Sequence, residues 1–260
     1  AGVAHVGVLK ALEERNIPID YVVGTSAGAL VASMYACGYS PDEIEAYVLS
    51  EPFQLMVKGD VEVQKKFYFF DESNSSSMFN IPFSKDSILQ KSIPMSFVNP
   101  NYFDFEMLRI LGLTGASVGK DFDQLFVPFR CVASDVVNKK TVVFSKGNLN
   151  ESVRASMTFP LYLNPIRING VLYFDGGLYD NFPLNVMYEE FPADFIIGSN
   201  VTKNDIRANE NDFFGMISSM MTTPTNYSLP CQDGIIIEPK TEVGTFDFEN
   251  VKQAIEDGYL

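Results

Sequence analysis

Tryptophan is absent from this chain of 260 residues, and histidine occurs once, at His5. A single imidazole with scattered carboxylates offers no metal-ligand cluster, so neither a metal centre nor a cofactor is expected. It also leaves a serine nucleophile without its commonest partner unless His5 itself serves. Cysteine is scarce too. Cys37, Cys131 and Cys231 are widely spaced and odd in number, with no CxxC pair. Buried free thiols are expected rather than a disulfide framework. Positive charge is in short supply: 19 Lys and Arg stand against 33 Asp and Glu, a formal charge of -14. That argues against a general nucleic-acid binder, which needs a basic face, and against docking to anionic lipid by charge alone. No apolar run reaches the roughly 18 residues of a membrane span, and no signal peptide is visible. The chain opens at Ala1-Gly2-Val3-Ala4-His5, inside a small-residue turn and without an initiator Met. It reads as a fragment whose natural N terminus lies upstream.

What is present is a core. Hydrophobic residues make up 46% of the chain, enough at this length for one large domain over residues 1–260. Val6, Leu9 and Leu12 recur at helical spacing, and the pattern ends near Asn16-Ile17-Pro18. Ile19 to Val23 reads as a buried strand, followed by a glycine turn at 24–28 and a helix from Ala27 to Ala36, stopped by Gly38. Ser40-Pro41-Asp42-Glu43 carries the signature of a capped helix start. Further buried strands are expected at 129–133, 141–144, 171–174, 195–199 and 234–238. Strands alternating with helices predict an α/β fold with a mainly parallel central sheet flanked by helices on both faces. Residues 53–115, rich in Phe, Tyr, Met and Ser, read as an insertion or lid over one edge of the sheet. A second irregular segment, 203–226, turns Met-rich at Met216, Met220 and Met221.

Gly24-Thr25-Ser26-Ala27-Gly28 fits G-x-S-x-G. A serine on a sharp strand-to-helix turn is held in a strained backbone conformation that projects its hydroxyl. The residues two before and two after are expected to collide unless they lack side chains, which is the role given to Gly24 and Gly28. Amides at the start of the next helix, from Ala27, point at the charge that develops in acyl transfer. The competing reading is a tight β–α turn in which Ser26 caps a helix. His5 lies upstream of the serine, whereas the usual hydrolase order puts His last, so His5 reads as a packing residue. A carboxylate is the alternative base. Asp175-Gly176-Gly177 leaves the apolar strand Val171-Leu172-Tyr173-Phe174, where ligand sites in parallel sheets occur. Alone it is ordinary turn chemistry; beside Ser26 it becomes the candidate base. Nucleotide binding is not supported, since no third glycine and no P-loop Lys follow.

Two long blocks resemble the patatin-like phospholipase family. The first runs from Ala4 through the helix to Ile19-Asp20-Tyr21-Val22-Val23-Gly24-Thr25-Ser26-Ala27-Gly28 and on to Ile44. The second holds Ser152-Val153-Arg154-Ala155-Ser156, Phe159-Pro160, Asp175-Gly176-Gly177, Asn181 and Pro183. The resemblance implies a three-layer α/β architecture and a Ser26–Asp175 dyad. Ser26 would attack a lipid ester carbonyl, and Asp175 would accept its proton and later activate water. It also implies an oxyanion loop ahead of the first helix, of which Gly2 is the tail, with Gly24, Ala27, Gly28, Gly176 and Gly177 supporting the turn. The implied substrate is a phospholipid or other acyl-ester lipid, met by transient contact with a membrane surface; no nucleic acid is implied. The aromatic segment would suit an acyl chain or a membrane, or equally a core or homodimer contact. The family carries Arg or Lys before the last loop glycine, whereas Ala1 stands here. A lipid-binding domain without turnover is the reading this departure motivates, and a non-lipid carboxylesterase or thioesterase would use the same dyad. The resemblance leaves open an exported or membrane-associated longer chain and a cytoplasmic one.

Overall fold

The computed structural model describes residues 1–60, 98, 100–202, 224–229, 233–244 and 247–260. The elements in chain order are α1 (Ala4–Glu14), β1 (Val22–Thr25), α2 (Ala27–Ala36), α3 (Pro41–Val48), α4 (Glu51–Lys58), α5 (Pro100–Ser117), β2 (Phe129–Asp135), β3 (Lys140–Phe144), α6 (Leu149–Ser156), β4 (Ile166–Ile168), β5 (Val171–Asp175), α7 (Leu184–Glu190), β6 (Ile196–Ser199), β7 (Gly234–Ile237) and α8 (Val251–Tyr259). Their ends follow local chemistry. Asn16 takes a left-handed φ of 54° just after α1. Gly38, at φ 93°, follows α2. Ser40 and Glu43 form the reciprocal capping box of α3, with Pro41 in its first turn. Among the described residues no helix is long and apolar enough to cross a membrane.

The sheet differs from the expectation of a mainly parallel one. In the five-stranded sheet only β1 and β2 pair in parallel; β2–β3, β2–β5 and β4–β5 are antiparallel. A separate parallel pair joins β6 and β7. Of the three antiparallel pairs, β2–β5 is a long-range pairing and the other two are hairpins. One turns over Asn169-Gly170, both at positive φ (49° and 85°), which is the preferred two-residue reversal between antiparallel strands. The other joins β2 to β3.

Strand β2 is the axis of the molecule. All seven of its residues are buried, so both faces of the sheet are covered there. Strand β3 pairs with Cys131 to Asp135 along one edge. The other edge is shared: β1 covers Phe129 to Val132 and β5 covers Ala133 to Asp135. Because β1 runs with β2 and β5 runs against it, their C-terminal ends meet head to head. Thr25 pairs with Val132, and Asp175 pairs with Ala133.

The main core gathers apolar side chains from α2 to α6 around Phe129 and Cys131 of β2. It includes Phe53, Met56 and Val57 of α4 and Tyr102, Phe103, Met107, Ile110 and Leu111 of α5. Both ends of the 53–115 segment are therefore helices that contribute to the core. The rest of that segment, residues 61–97 and 99, lies outside the described residues, as do Cys231 and the methionines at 216, 220 and 221. Cys37 and Cys131 are free thiols.

Candidate active site

Ser26 sits between β1 and α2 with φ 54° and ψ -125°, a region L-residues occupy only under constraint. The turn is sharp because Gly24 and the start of α2 touch. A methyl on Gly24 would stand 2.5 Å from the Gly28 carbonyl oxygen and 2.6 Å from Ala29 Cα. Gly28 is different. A methyl there would meet His5 Nε2 at 3.6 Å, an ordinary contact. The steric role expected of both glycines belongs to Gly24 alone.

The Ser26 hydroxyl donates to Asp175 Oδ2 at 2.6 Å. The other carboxylate oxygen, Oδ1, accepts from the Gly177 amide at 2.8 Å. Asp175 is 4% exposed. Burial pushes its carboxyl up to about 6, against the pull of the hydrogen bonds from Ser26 and Gly177. A carboxylate near 6 is a stronger base than a free one, and it is still ionised at neutral pH. The glycines after it serve close approach. A methyl on Gly176 would overlap the Val132 carbonyl, and one on Gly177 would stand 2.7 Å from Asn181 Oδ1. Thr25 Oγ1 donates to the Asp180 carbonyl at 3.0 Å, closing the end of β1 onto the loop after β5.

Two further contacts were not visible in the sequence. The Ser26 amide donates to Ser156 Oγ at 2.8 Å, and that hydroxyl donates to the Val132 carbonyl at 2.6 Å. The Asp175 amide donates to the Thr158 carbonyl at 2.8 Å. Gly2 lies against Ala27, since a methyl on Gly2 would overlap the Ala27 side chain. Gly2 and the first residue of α2, next to Ser26 in the chain, are thus in direct contact. Amides of a first helical turn have no partner within their helix, and their dipoles favour negative charge.

His5 is held elsewhere. Its Nδ1 and Ser199 Oγ are 2.7 Å apart. Burial pulls the imidazole down to about 4, so it is neutral at pH 7. A cavity of about 580 Å³ between β1 and β6 borders His5, Gly24, Thr25, Gly28 and Ser199, but neither Ser26 nor Asp175. Among the described residues no group of three or more His, Cys, Asp or Glu is placed to hold a metal ion.

A mixed α/β domain with a strained serine bonded to a buried aspartate, and no histidine bonded to either, defines a distinctive class of site. The family described as patatin-like phospholipase matches residues 1–188, and the chain belongs to it. Curated relatives include the lysophospholipase NTE1 of Candida albicans, 26% identical over 187 residues, which cover 72% of this chain and 11% of that protein. The patatin-like phospholipase domain-containing protein ZK370.4 of Caenorhabditis elegans is 28% identical over 188 residues, 72% of this chain and 12% of that protein. The chain thus spans a small part of the length of each. Among solved structures, VipD from Legionella pneumophila aligns over 99% of this chain and 63% of its own, at 13% identity and a TM-score of 0.44.

Proposed function

We propose that this domain is a lipid acyl hydrolase of the phospholipase A type, with Ser26 as nucleophile and Asp175 as its base. The observation that carries the reading is the 2.6 Å hydrogen bond from Ser26 Oγ to Asp175 Oδ2. Ser26 Oγ attacks the ester carbonyl while its proton passes to Asp175. The tetrahedral oxyanion is held by backbone amides at Gly2 and at the start of α2, around Ala27 and Gly28. As that intermediate collapses, Asp175 returns the proton to the departing glycerol oxygen, leaving an acyl-Ser26 ester. Water then attacks the ester as it gives a proton to Asp175. When the second tetrahedral intermediate collapses, the C–Oγ bond breaks, Asp175 returns that proton to Ser26 Oγ, and fatty acid leaves. Gly176 and Gly177 support this by letting β5 and its loop close on Val132 and Asn181, which fixes Asp175.

Family membership and relatives named lysophospholipase support a single-chain lysophospholipid as the first substrate to try. Its presentation at a membrane or micelle surface goes with the reading. The test is fatty-acid release from lysophosphatidylcholine and from phosphatidylcholine vesicles, beside a short soluble ester and a thioester. Wild type, Ser26→Ala and Asp175→Asn are compared. Turnover of the lipids by wild type alone is the expected result. Turnover of the soluble esters or thioester alone would make this a non-lipid esterase or thioesterase. Vesicle binding without turnover, unchanged in Ser26→Ala, would make it a lipid-binding domain with a degenerate site.

A further inference from the structure

We infer that Ser156 is a positioning residue for the nucleophile: its hydroxyl holds the Ser26 amide and thereby keeps Ser26 in its strained conformation. The inference rests on the dyad reading above. A serine at φ 54° and ψ -125° returns to an ordinary backbone conformation unless its surroundings over-determine it. Ser26 caps α2, and its carbonyl already serves the helix by accepting from the amides of Ala29 and Leu30 at 2.9 and 3.2 Å. Its amide points the other way, out of the helix, and meets Ser156 Oγ at 2.8 Å.

Ser156 is well placed to hold that direction. It is the last residue of α6 and is fully buried, so its rotamer is fixed by packing. Its own proton goes to the Val132 carbonyl at 2.6 Å, which leaves an oxygen lone pair for the Ser26 amide and no proton free to compete. Val132 is the residue of β2 that pairs with Thr25, and its neighbour Ala133 pairs with Asp175, so the hydroxyl ties the nucleophile to the strand against which the base-bearing β5 is also paired. Two residues on, just past the helix, the same segment fixes the partner, because the Thr158 carbonyl accepts the Asp175 amide at 2.8 Å. Thr158 is held in turn by Arg154. The guanidinium donates to Thr158 Oγ1 and, through Nη2, to the Asn164 carbonyl at 2.9 Å, and it pairs with Asp104 at 2.6 Å. The end of α6 is therefore a rigid bracket touching both members of the dyad, and Ser156 is its contact with the nucleophile.

The test separates geometry from folding. Active sites are counted by titration with a fluorophosphonate that traps Ser26, and ester turnover is expressed per titrated site. Ser156→Ala is expected to lower that per-site kcat by ~10- to 100-fold with KM within about threefold, since displacing a reacting atom by about 1 Å costs up to ~100-fold. Ser156→Cys, which fills the space with a weaker acceptor, is expected to move in the same direction by less, and it is the variant to read if Ser156→Ala does not fold. Ser152→Ala is the control: it removes another largely buried hydroxyl of α6, bonded within the helix to the Asn148 carbonyl at 3.0 Å, and should leave the per-site rate unchanged. A purely structural role would reduce the number of titratable sites and leave each one working at full rate. That result in the folded variant overturns the inference. Wild type that neither titrates nor turns over would instead sink the dyad itself, and Ser156 with it.

Discussion

Two aspartates two residues apart on one antiparallel ladder behave in opposite ways. Asp135, at the end of β2, lies opposite Tyr173; Asp175, at the end of β5, lies opposite Ala133. Both are nearly inaccessible, at 1% and 4% exposure. Asp135 accepts three hydrogen bonds at the β2–β3 hairpin: from the Val137 amide at 3.1 Å, the Asn138 amide at 3.0 Å and Asn138 Nδ2 at 2.7 Å. The side chain and amide of Asn138 hold its carboxyl below the usual range, and burial opposes them only weakly. Asp175 receives two donors, one of them the proton it is proposed to take, and burial wins, raising it to about 6. The residue type is the same and so is the sheet. What makes one a structural acceptor and the other a candidate base is depth as well as donors. Asp135 sits at a hairpin whose residues 137–140 are exposed, so desolvation costs it little, whereas Asp175 is enclosed and desolvation outweighs its two donors.

The largest test of this contrast is catalytic. Ser26→Ala is expected to lose on the order of 10⁴-fold or more in kcat. Asp175→Asn should lose about 10²- to 10⁴-fold, the usual worth of a positioned acid–base group. Asp135→Ala should stay within about threefold of wild type per titrated site. Equal losses at both aspartates would break the comparison.

The next effect is on pH. Asp175 must be ionised to accept a proton, so kcat should rise with pH through about 6 and level off above it. Stability should run the other way. The native carboxyl titrates near 6 and the ordinary one at 3.8, so the folded state binds the proton more tightly between those values. Above pH 6 the buried charge therefore costs about 3 kcal/mol. Asp175→Asn, inactive, should melt higher than wild type at pH 8 and lose that advantage below pH 4. Asp135 has the opposite sign. Its depressed value stabilises the fold above the ordinary carboxylate range and ceases to as pH falls through it. Asp135→Ala should melt lower than wild type at pH 7, by a margin that narrows as pH falls through the carboxylate range. Thermal melts of the three proteins across pH 3 to 8 read both signs together.

Much of the fold is legible in the sequence where it follows short-range rules. The apolar runs at 129–133, 141–144, 171–174, 195–199 and 234–238 all hold strands, and the capped start at Ser40 is a real helix start. The sheet's direction was also written there, in Asn169-Gly170 between Ile168 and Val171, but an α/β reading weighs alternation of elements over a hairpin dipeptide. Helix α5 shows its period in Phe103, Met107, Ile110 and Leu111, obscured by the aromatic-rich stretch before it. From local patterns the candidate site is legible as two separate turns, and only the resemblance of the two long blocks pairs Ser26 with Asp175. Their meeting depends on β1 and β5 ending nose to nose on one edge of β2, a pairing across 149 residues, and no local pattern records it. Ser156 is less visible still. Its neighbours in Leu149–Ser156 form a short, largely polar helix, and its contact with Ser26 spans 130 residues.

The smallest expected effect concerns the motif itself. If surroundings make the base, then a motif residue whose surroundings are open should be replaceable. Gly28 is such a residue. It is the second residue of α2, at a φ outside the left-handed region, and a methyl would find only His5, at 3.6 and 3.8 Å. Ala is favoured over Gly in a helix by up to about 1 kcal/mol and restricts the unfolded chain more. Gly28→Ala is thus expected to raise the melting temperature slightly and to keep per-site turnover within about threefold. Gly24 has no such freedom, because its missing side chain is filled by the Gly28 carbonyl and Ala29. A tenfold loss of turnover in a well-folded Gly28→Ala would mean that substrate itself approaches the α2 backbone at that point. The second glycine of the motif would then belong to the ligand and not to the turn.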